Sequence, residues 1–288
     1  MCAPPMKHLI LVFIVALGLS GQFSSQSALA VNEQVPDSEL TNGVDTVAIA
    51  VMSLNLGNGL VVPEDLVSYL RVSEFDLVSL LEVTSEMAAA LETDVSDIFP
   101  YREIRGGGIP GKALLSRYPI TNADWLELNP GRPDLIATVD LDGQLIQVLV
   151  AHPPPPEISW YGVRQREGTV EQFDRLIEIA AEAEYPFLLV GDLNIVSVQK
   201  RYRELEDIGL QDVYSMVGNG PGATFPKRIP PLSDNLFLPA VRIDYIWASE
   251  DWQVISSSTG EDIGSDHLPI IAHLELGSAI DQTRMLVA

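Results

Sequence analysis

A layered α/β domain of the α+β type is predicted from three features of the sequence. Short apolar runs bounded by turn residues alternate with amphipathic stretches between residues 46 and 277. One adjacent pair of runs is joined by Asp142-Gly143, a two-residue hairpin dipeptide, so antiparallel pairing is mixed with crossovers. The chain has 288 residues, 47% of them hydrophobic, with no internal repeat or central linker, which is enough apolar content for one large core.

The elements follow in order. Val47 to Leu54 reads as a buried strand. Pro63-Glu64-Asp65 opens a helix carrying Leu66, Leu70 and Val72, because proline suits a first turn and acids suit its positive end. Phe75 to Leu81 is again strand, and Thr84 to Leu91 a short helix. Lys112 to Ile120 reads as one strand, and Leu135 to Val150 as two strands folded at Asp142-Gly143. Val163 to Ala183 is a long helix with Phe173, Leu176, Ile177 and Ala180 on one stripe. Phe187 to Val190 and Ile243 to Ala248 are compact strands, and Ile270 to Leu276 alternates.

Outside residues 46–277 the chain reads differently. Lys7 and His8 precede the apolar run Leu9 to Leu19, and a polar stretch then ends in Ala28-Leu29-Ala30. This is the order of a secretory signal, with cleavage expected after Ala30 and a product exported to the periplasm or the medium. The run of 11 apolar residues is short of the roughly 20 a spanning helix needs. Residues 31–45 form a polar leader and 278–288 a C-terminal tail. The single cysteine, Cys2, falls before the apolar run, so disulfides, cysteine nucleophiles and thiolate metal sites are excluded from the domain.

Against 17 Lys and Arg stand 40 Asp and Glu, a formal net charge of -23. That balance disfavours a long nucleic acid as partner, unless a local basic groove exists. The expected product is a soluble monomer whose partner is a small substrate.

Buried strands that end in short polar clusters are where a rigid sheet holds a reactive side chain. Asn55 follows the first strand, Glu82 the second, and Gly191-Asp192-Leu193-Asn194 follows Leu188-Leu189-Val190. Asp244 interrupts the apolar Ile243 to Ala248, and Ser265-Asp266-His267 precedes the last strand. An acid inside an apolar strand needs a partner, and His267 would meet that need. Singly these residues are also ordinary: Asp192 and Asn194 suit a turn, Glu82 a helix start. Together, four carboxylates, two carboxamides and a histidine make an oxygen-rich set suited to a hard divalent cation, Mg²⁺ or Mn²⁺. Zinc would want more nitrogen or sulfur.

These segments occur in an order that resembles the endonuclease/exonuclease/phosphatase superfamily, the fold of DNase I. The matching motifs are Ser-Leu-Asn at 53–55, Leu-Leu-Glu at 80–82, Gly-Lys-Ala-Leu-Leu-Ser-Arg-Tyr-Pro-Ile at 111–120, Ala-His at 151–152, Gly-Asp-Leu-Asn at 191–194, Arg-Ile-Asp-Tyr-Ile at 242–246 and Ser-Asp-His-Leu-Pro at 265–269. Leu193 replaces the usual phenylalanine and Leu81 a frequent glutamine, which leaves the carboxylates intact. The resemblance implies a four-layer α/β/β/α sandwich of two mixed sheets and metal-assisted hydrolysis of a phosphoester. It implies Glu82 as metal ligand with Asn55 and Asp266 in or near the shell. His267, oriented by Asp244, would act as general base or as donor to the phosphoryl oxygen. Asp192 would orient the water, and Asn194 and His152 would bind the phosphoryl group.

Three further segments stand apart. Gly106 to Ala113 nearly spells a Walker A loop, but Ala113 has no hydroxyl for magnesium and strand follows where a helix is required, so an NTPase is rejected. The glycines read as a flexible rim loop. Pro153 to Pro156 stiffen the chain after His152, and Trp160 and Arg164 beyond them either recognise a phosphorylated headgroup or pack locally. Lys200, Arg201 and Arg203 read as a solvated helix face paired with Glu204 and Glu206.

Overall fold

Strands that are apolar on both faces need cover on both sides, and four of the described strands have every residue buried. The fold, seen in a computed structural model that describes residues 46–159, 162–226 and 241–277, supplies that cover with four layers. The stretches read as a signal segment, a leader and a tail lie outside the described residues, as do Cys2 and Trp160.

Fourteen strands and five helices occur among the described residues: β1 (Val47–Asn55), α1 (Pro63–Val72), β2 (Leu77–Leu81), α2 (Ser85–Asp94), β3 (Tyr101–Arg105), β4 (Lys112–Ser116), β5 (Ile120–Leu126), β6 (Asp134–Leu141), β7 (Gln144–Val150), β8 (Glu157–Ser159), β9 (Gly162–Arg164), α3 (Glu167–Ala181), β10 (Phe187–Asp192), α4 (Lys200–Asp207), β11 (Gln211–Asp212), α5 (Val213–Val217), β12 (Asp244–Ala248), β13 (Trp252–Thr259) and β14 (Ile270–Leu276). One six-stranded sheet runs β13-β14-β1-β2-β4-β3 and the other β11-β12-β10-β7-β6-β5, with β8-β9 as a separate hairpin. In β1, Ile49 and Val51 face the inter-sheet core while Ala50, Met52 and Leu54 face α1 and α2, through Leu66, Leu70, Met87 and Leu91. The second sheet repeats the scheme, with Val148 and Val190 inside and Leu149 and Leu189 against Phe173 and Leu176 of α3. The chain is therefore an α/β/β/α sandwich of two mixed sheets. No helix among the described residues is long and apolar enough to cross a membrane.

Each sheet has a parallel pair at its centre flanked by an antiparallel strand: β1 with β2 and β14, and β10 with β7 and β12. Parallel neighbours end at the same edge, and an antiparallel neighbour begins there. The carboxyl ends of β1, β2, β7 and β10 thus meet the starts of β12 and β14. Asp192 is paired in register with Asp244, and Asn55 with Leu81, the residue before Glu82.

Four expectations are corrected. Lys112 to Ile120 is two strands in different sheets, because Ser116 Oγ donates to Tyr118 O and accepts from Tyr118 N, and Pro119, with no N–H, turns the chain across. The long helix begins at Glu167, four residues late, since β9 pairs with β8 and claims Val163 and Arg164. The polar strands β3 and β13 were not foreseen; both are sheet edges, where an apolar run is absent. The glycine loop is a stitched turn and not a free rim: the Gly107 and Gly108 amides both donate to Val83 O at 2.9 Å, and Val83 N donates to Gly111 O at 3.2 Å.

Gly191 sits at φ +142°, and a Cβ there would lie 2.0 Å from the Ala151 carbonyl oxygen of β7's exit. Gly191→Ala is expected to cost about 2–4 kcal/mol in urea denaturation, through backbone strain beside two site residues. A loss under about 0.5 kcal/mol would show the approach of β7 and β10 to be soft.

Candidate active site

The shared edge of the two sheets gathers the polar strand ends. Asn55 Nδ2 donates to Asp192 Oδ2 at 3.1 Å and reaches Glu82 Oε1 at 3.5 Å. His152 Nε2 stands 3.5 Å from Asp192 Oδ2 and 3.8 Å from Glu82 Oε1. His267 Nδ1 lies 2.8 Å from Asp244 Oδ2, and its Nε2 is 3.9 Å from Asp192 Oδ2. Asn194 donates its backbone N–H to Asp192 Oδ1 at 2.9 Å and its side-chain amide to Pro153 O at 3.0 Å. Residues scattered over more than 200 positions therefore share one site. Arg164 is exposed on β9 and is not among these contacts.

Local backbone aims two of these side chains. Glu82 has φ +57° and Asn194 φ +52°, a conformation uncommon for any residue with a Cβ and more so for glutamate. Asn194 is held there by the Asp192 carboxylate, and Glu82 by the glycine turn bonded to Val83. Such conformations cost on the order of 1–3 kcal/mol and persist where surrounding structure imposes them.

The histidine loop is pinned on three sides. Ser265 Oγ donates to Asn55 O at 2.6 Å and accepts from His267 N at 3.0 Å, tying the loop to β1. Thr224 accepts the backbone N–H groups of Ile243 and Asp244 on its hydroxyl and that of Leu268 on its carbonyl. The Phe225 ring lies 4.6 Å from the His267 imidazole. Neither Thr224 nor Phe225 was anticipated: in sequence they are one threonine and one phenylalanine in a proline- and glycine-rich stretch.

Electrostatics divides the carboxylates. Burial lifts Glu82 above the ordinary range, and Asp192 and Asp266 add to that, against His152 and Asn55. Burial also works to raise Asp192, but a hydrogen bond from His152 and the nearby His267 hold it below. Burial raises Asp244 too, against the pull of His267. His267 is disfavoured as a cation by burial, yet Asp244, Asp192 and Asp266 push it up to about 10. The site thus pairs one imidazolium with more negative groups than it can neutralise.

A cation would balance that excess. Asp192, Asp244 and His267 each place one donor atom within 4.8 Å of the others. The 2.8 Å bond between Asp244 and His267 already uses two of those atoms, so this trio is better described as a proton-handling set. Glu82 and Asp266 fit a hard ion better: Glu82 is raised by burial, with Asp192 and Asp266 adding to it, and Asp266 Oδ1 is buried without a partner. Asn55 meets the carboxylates through its amide nitrogen, while its Oδ1 accepts from Gly57 N at 3.0 Å.

Beneath the site lies a network that sequence patterning missed. Lys112, fully buried, donates to Pro133 O at 2.6 Å and stands 3.4 Å from Asp134 Oδ1. Asp134 accepts the His152 backbone N–H at 3.1 Å and Gln172 Nε2 at 2.6 Å, and Gln172 in turn accepts from Asn129 at 3.2 Å. Burial pushes both Lys112 and Asp134 toward their neutral forms, and each offsets the other. Arg132 also faces the site: burial lowers it, and the charges of Glu82 and Asp192 oppose that. In the sequence Lys112 stood in a glycine-rich stretch that imitates a phosphate loop and was rejected as one, and nothing marked Asp134 out. Lys112→Met is expected to cost about 3–5 kcal/mol by leaving Asp134 uncompensated, and Lys112→Met with Asp134→Asn should recover at least half. A double-mutant cycle in urea measures this, and simple additivity would refute the coupling.

Comparison with known proteins bears on the whole. A search of curated proteins finds no significant match. Among solved structures, an endonuclease/exonuclease/phosphatase from Beutenbergia cavernae is 23% identical with TM-score 0.61, over 81% of this chain and 72% of that one. D. rerio TDP2, solved with a single-strand DNA product, is 18% identical with TM-score 0.62, over 79% and 98%. The 3′ phosphatase NExo from Neisseria, bound to a product DNA hairpin, is 20% identical with TM-score 0.61, over 78% and 98%. These likenesses concern the fold. Residues 52–267 match the profile of the endonuclease/exonuclease/phosphatase family, a stretch that runs from β1 to His267, and the chain belongs to that family of phosphoester hydrolases.

Proposed function

We propose that this chain is a divalent-metal-dependent phosphoesterase acting on a small phosphoester or a lipid headgroup, exported by its first 30 residues. The observation that carries the reading is the placement of Glu82, Asp192, Asp244 and His267 around one sheet edge, with His267 Nε2 3.9 Å from Asp192 and backed by Asp244. Glu82 and Asp266 would hold Mg²⁺ or Mn²⁺, with Asn55 beside them. The ion supplies polarisation of a phosphoryl oxygen as charge develops on it.

The remaining chemistry belongs to side chains. Asp192, held ionised by its histidine neighbours, accepts a hydrogen bond from the attacking water and orients it in line with the phosphorus. His267 uses Nδ1 on Asp244, so Nε2 is left to face the phosphoryl or leaving oxygen. Water oxygen bonds to phosphorus and gives a proton to Asp192, the ester P–O bond breaks, and the departing oxygen takes a proton from His267 Nε2. His152 Nε2 and the second amide hydrogen of Asn194 bind the phosphoryl group from the other side.

Net charge of -23 argues against a long polyanion. A nuclease is the second reading, favoured by the DNA products bound to the TDP2 and NExo neighbours. A panel with magnesium, containing plasmid DNA, RNA, inositol phosphates, sphingomyelin and phosphomonoesters, separates them; fastest cleavage of DNA with a steep salt slope would reverse the order. Glu82→Ala and His267→Ala are each expected to lower kcat by about 10³-fold or more with far-UV dichroism retained. Full activity in either variant, or in chelator, would sink the mechanism. Fractionation of the producing cells tests export, and retention of the full chain in the cytoplasm would overturn it.

A further inference from the structure

A cavity of about 560 Å³ opens beside Pro154 and Pro155, in the segment that follows His152. Among the described residues its lining includes Arg132, Arg166 and Thr169, with Asn129, Gly168 and Pro154, and no carboxylate. In a chain with 40 acids against 17 bases, a pocket carrying two arginines among its few described lining residues is a departure from the rest of the molecule.

Three features equip it for an oxyanion. The first turn of the 15-residue α3 borders it, and Arg166 at the N-cap supplies no capping side chain, because a guanidinium has no acceptor. The positive end of the helix therefore favours an anion there. Thr169 lines the cavity at 2% exposure, and its hydroxyl has no partner. A sealed hydroxyl without a hydrogen bond is costly, and a bound acceptor would relieve it. Arg132 makes no ion pair within the described residues, and the exposed Arg166 has only a 3.4 Å contact with Glu157.

The cavity is also joined to the catalytic edge. Pro154 follows Pro153, whose carbonyl accepts from Asn194, and Asn129 belongs to the chain of hydrogen bonds through Gln172 and Asp134 that holds the His152 backbone. Arg132 lies within the electrostatic reach of both Glu82 and Asp192.

We propose that this cavity is a subsite for a second, non-scissile phosphate of the substrate, bound by Arg132, Arg166 and the Thr169 hydroxyl at the start of α3. The inference rests on the phosphoesterase reading for its place in catalysis and selects doubly phosphorylated substrates within that class.

Two measurements on the full chain test it separately. In chelator, inorganic phosphate titrated by calorimetry is expected to bind once, and Arg132→Gln and Thr169→Val each to weaken it about 10-fold. The Thr169→Val protein should keep or raise its Tm, since an unsatisfied hydroxyl is removed. No binding by the unaltered chain, or undiminished binding in both variants, overturns the subsite. With magnesium, p-nitrophenyl phosphodiesters of a nucleoside and of glycerol are compared, each with and without a second phosphate. The doubly phosphorylated member of the preferred pair is expected to have about 10-fold higher kcat/KM, and Thr169→Val to remove that preference while sparing the other member. Equal rates within both pairs overturn the subsite and leave the phosphoesterase reading standing. If neither pair is hydrolysed the phosphoesterase reading falls, and the phosphate titration alone decides the subsite.

Discussion

The hydrogen bond from Asn55 to Asp192 spans the two halves of the sandwich, and the site depends on it. Asn55 ends the central strand of one sheet and Asp192 ends the central strand of the other. Their 3.1 Å contact, buried on both sides, is possible only if the sheets close face to face with their parallel pairs ending at the same edge. The inter-sheet core that sets this distance is built from aliphatic side chains such as Val51, Leu81, Val150 and Val190. Close packing of that core is what converts sequence separation into ångström-level placement.

Around that bond the fold concentrates costs that stability alone would not retain. Asp244, Asp192 and Lys112 are desolvated, and Glu82 and Asn194 occupy a left-handed conformation. Each cost is offset locally. Asp244 has His267, Asp192 has two histidines and an asparagine, and Lys112 has Asp134 and a carbonyl. The excess of negative charge at Glu82 and Asp266 is the part the chain leaves to a cation, and the positive cavity beside it has the opposite balance.

Much of this was legible before any coordinates. Glu82, Asp192, Asp244 and His267 stood out because polar residues at the ends of apolar runs are conspicuous, and the hairpin at Asp142-Gly143 followed from turn chemistry alone. The edge strands β3 and β13 were not legible, because an edge strand carries no continuous apolar run. Asp134, Gln172 and Thr224 were also missed. Each is an unremarkable polar residue in sequence, and its significance is a partner 18 to 38 positions away.

By itself the sequence determined the two-faced apolar strands, the starts of α1 and α2 and the identity of the reactive side chains, because these depend on local pattern and side-chain chemistry. Only the tertiary structure decided that Lys112 serves Asp134, that the chain crosses between sheets at Ser116 to Pro119, and that Arg132, Arg166 and Thr169 face one cavity. The physical reason is that pairing, desolvation and enclosure are properties of residues brought close by packing, and no local window of sequence contains them.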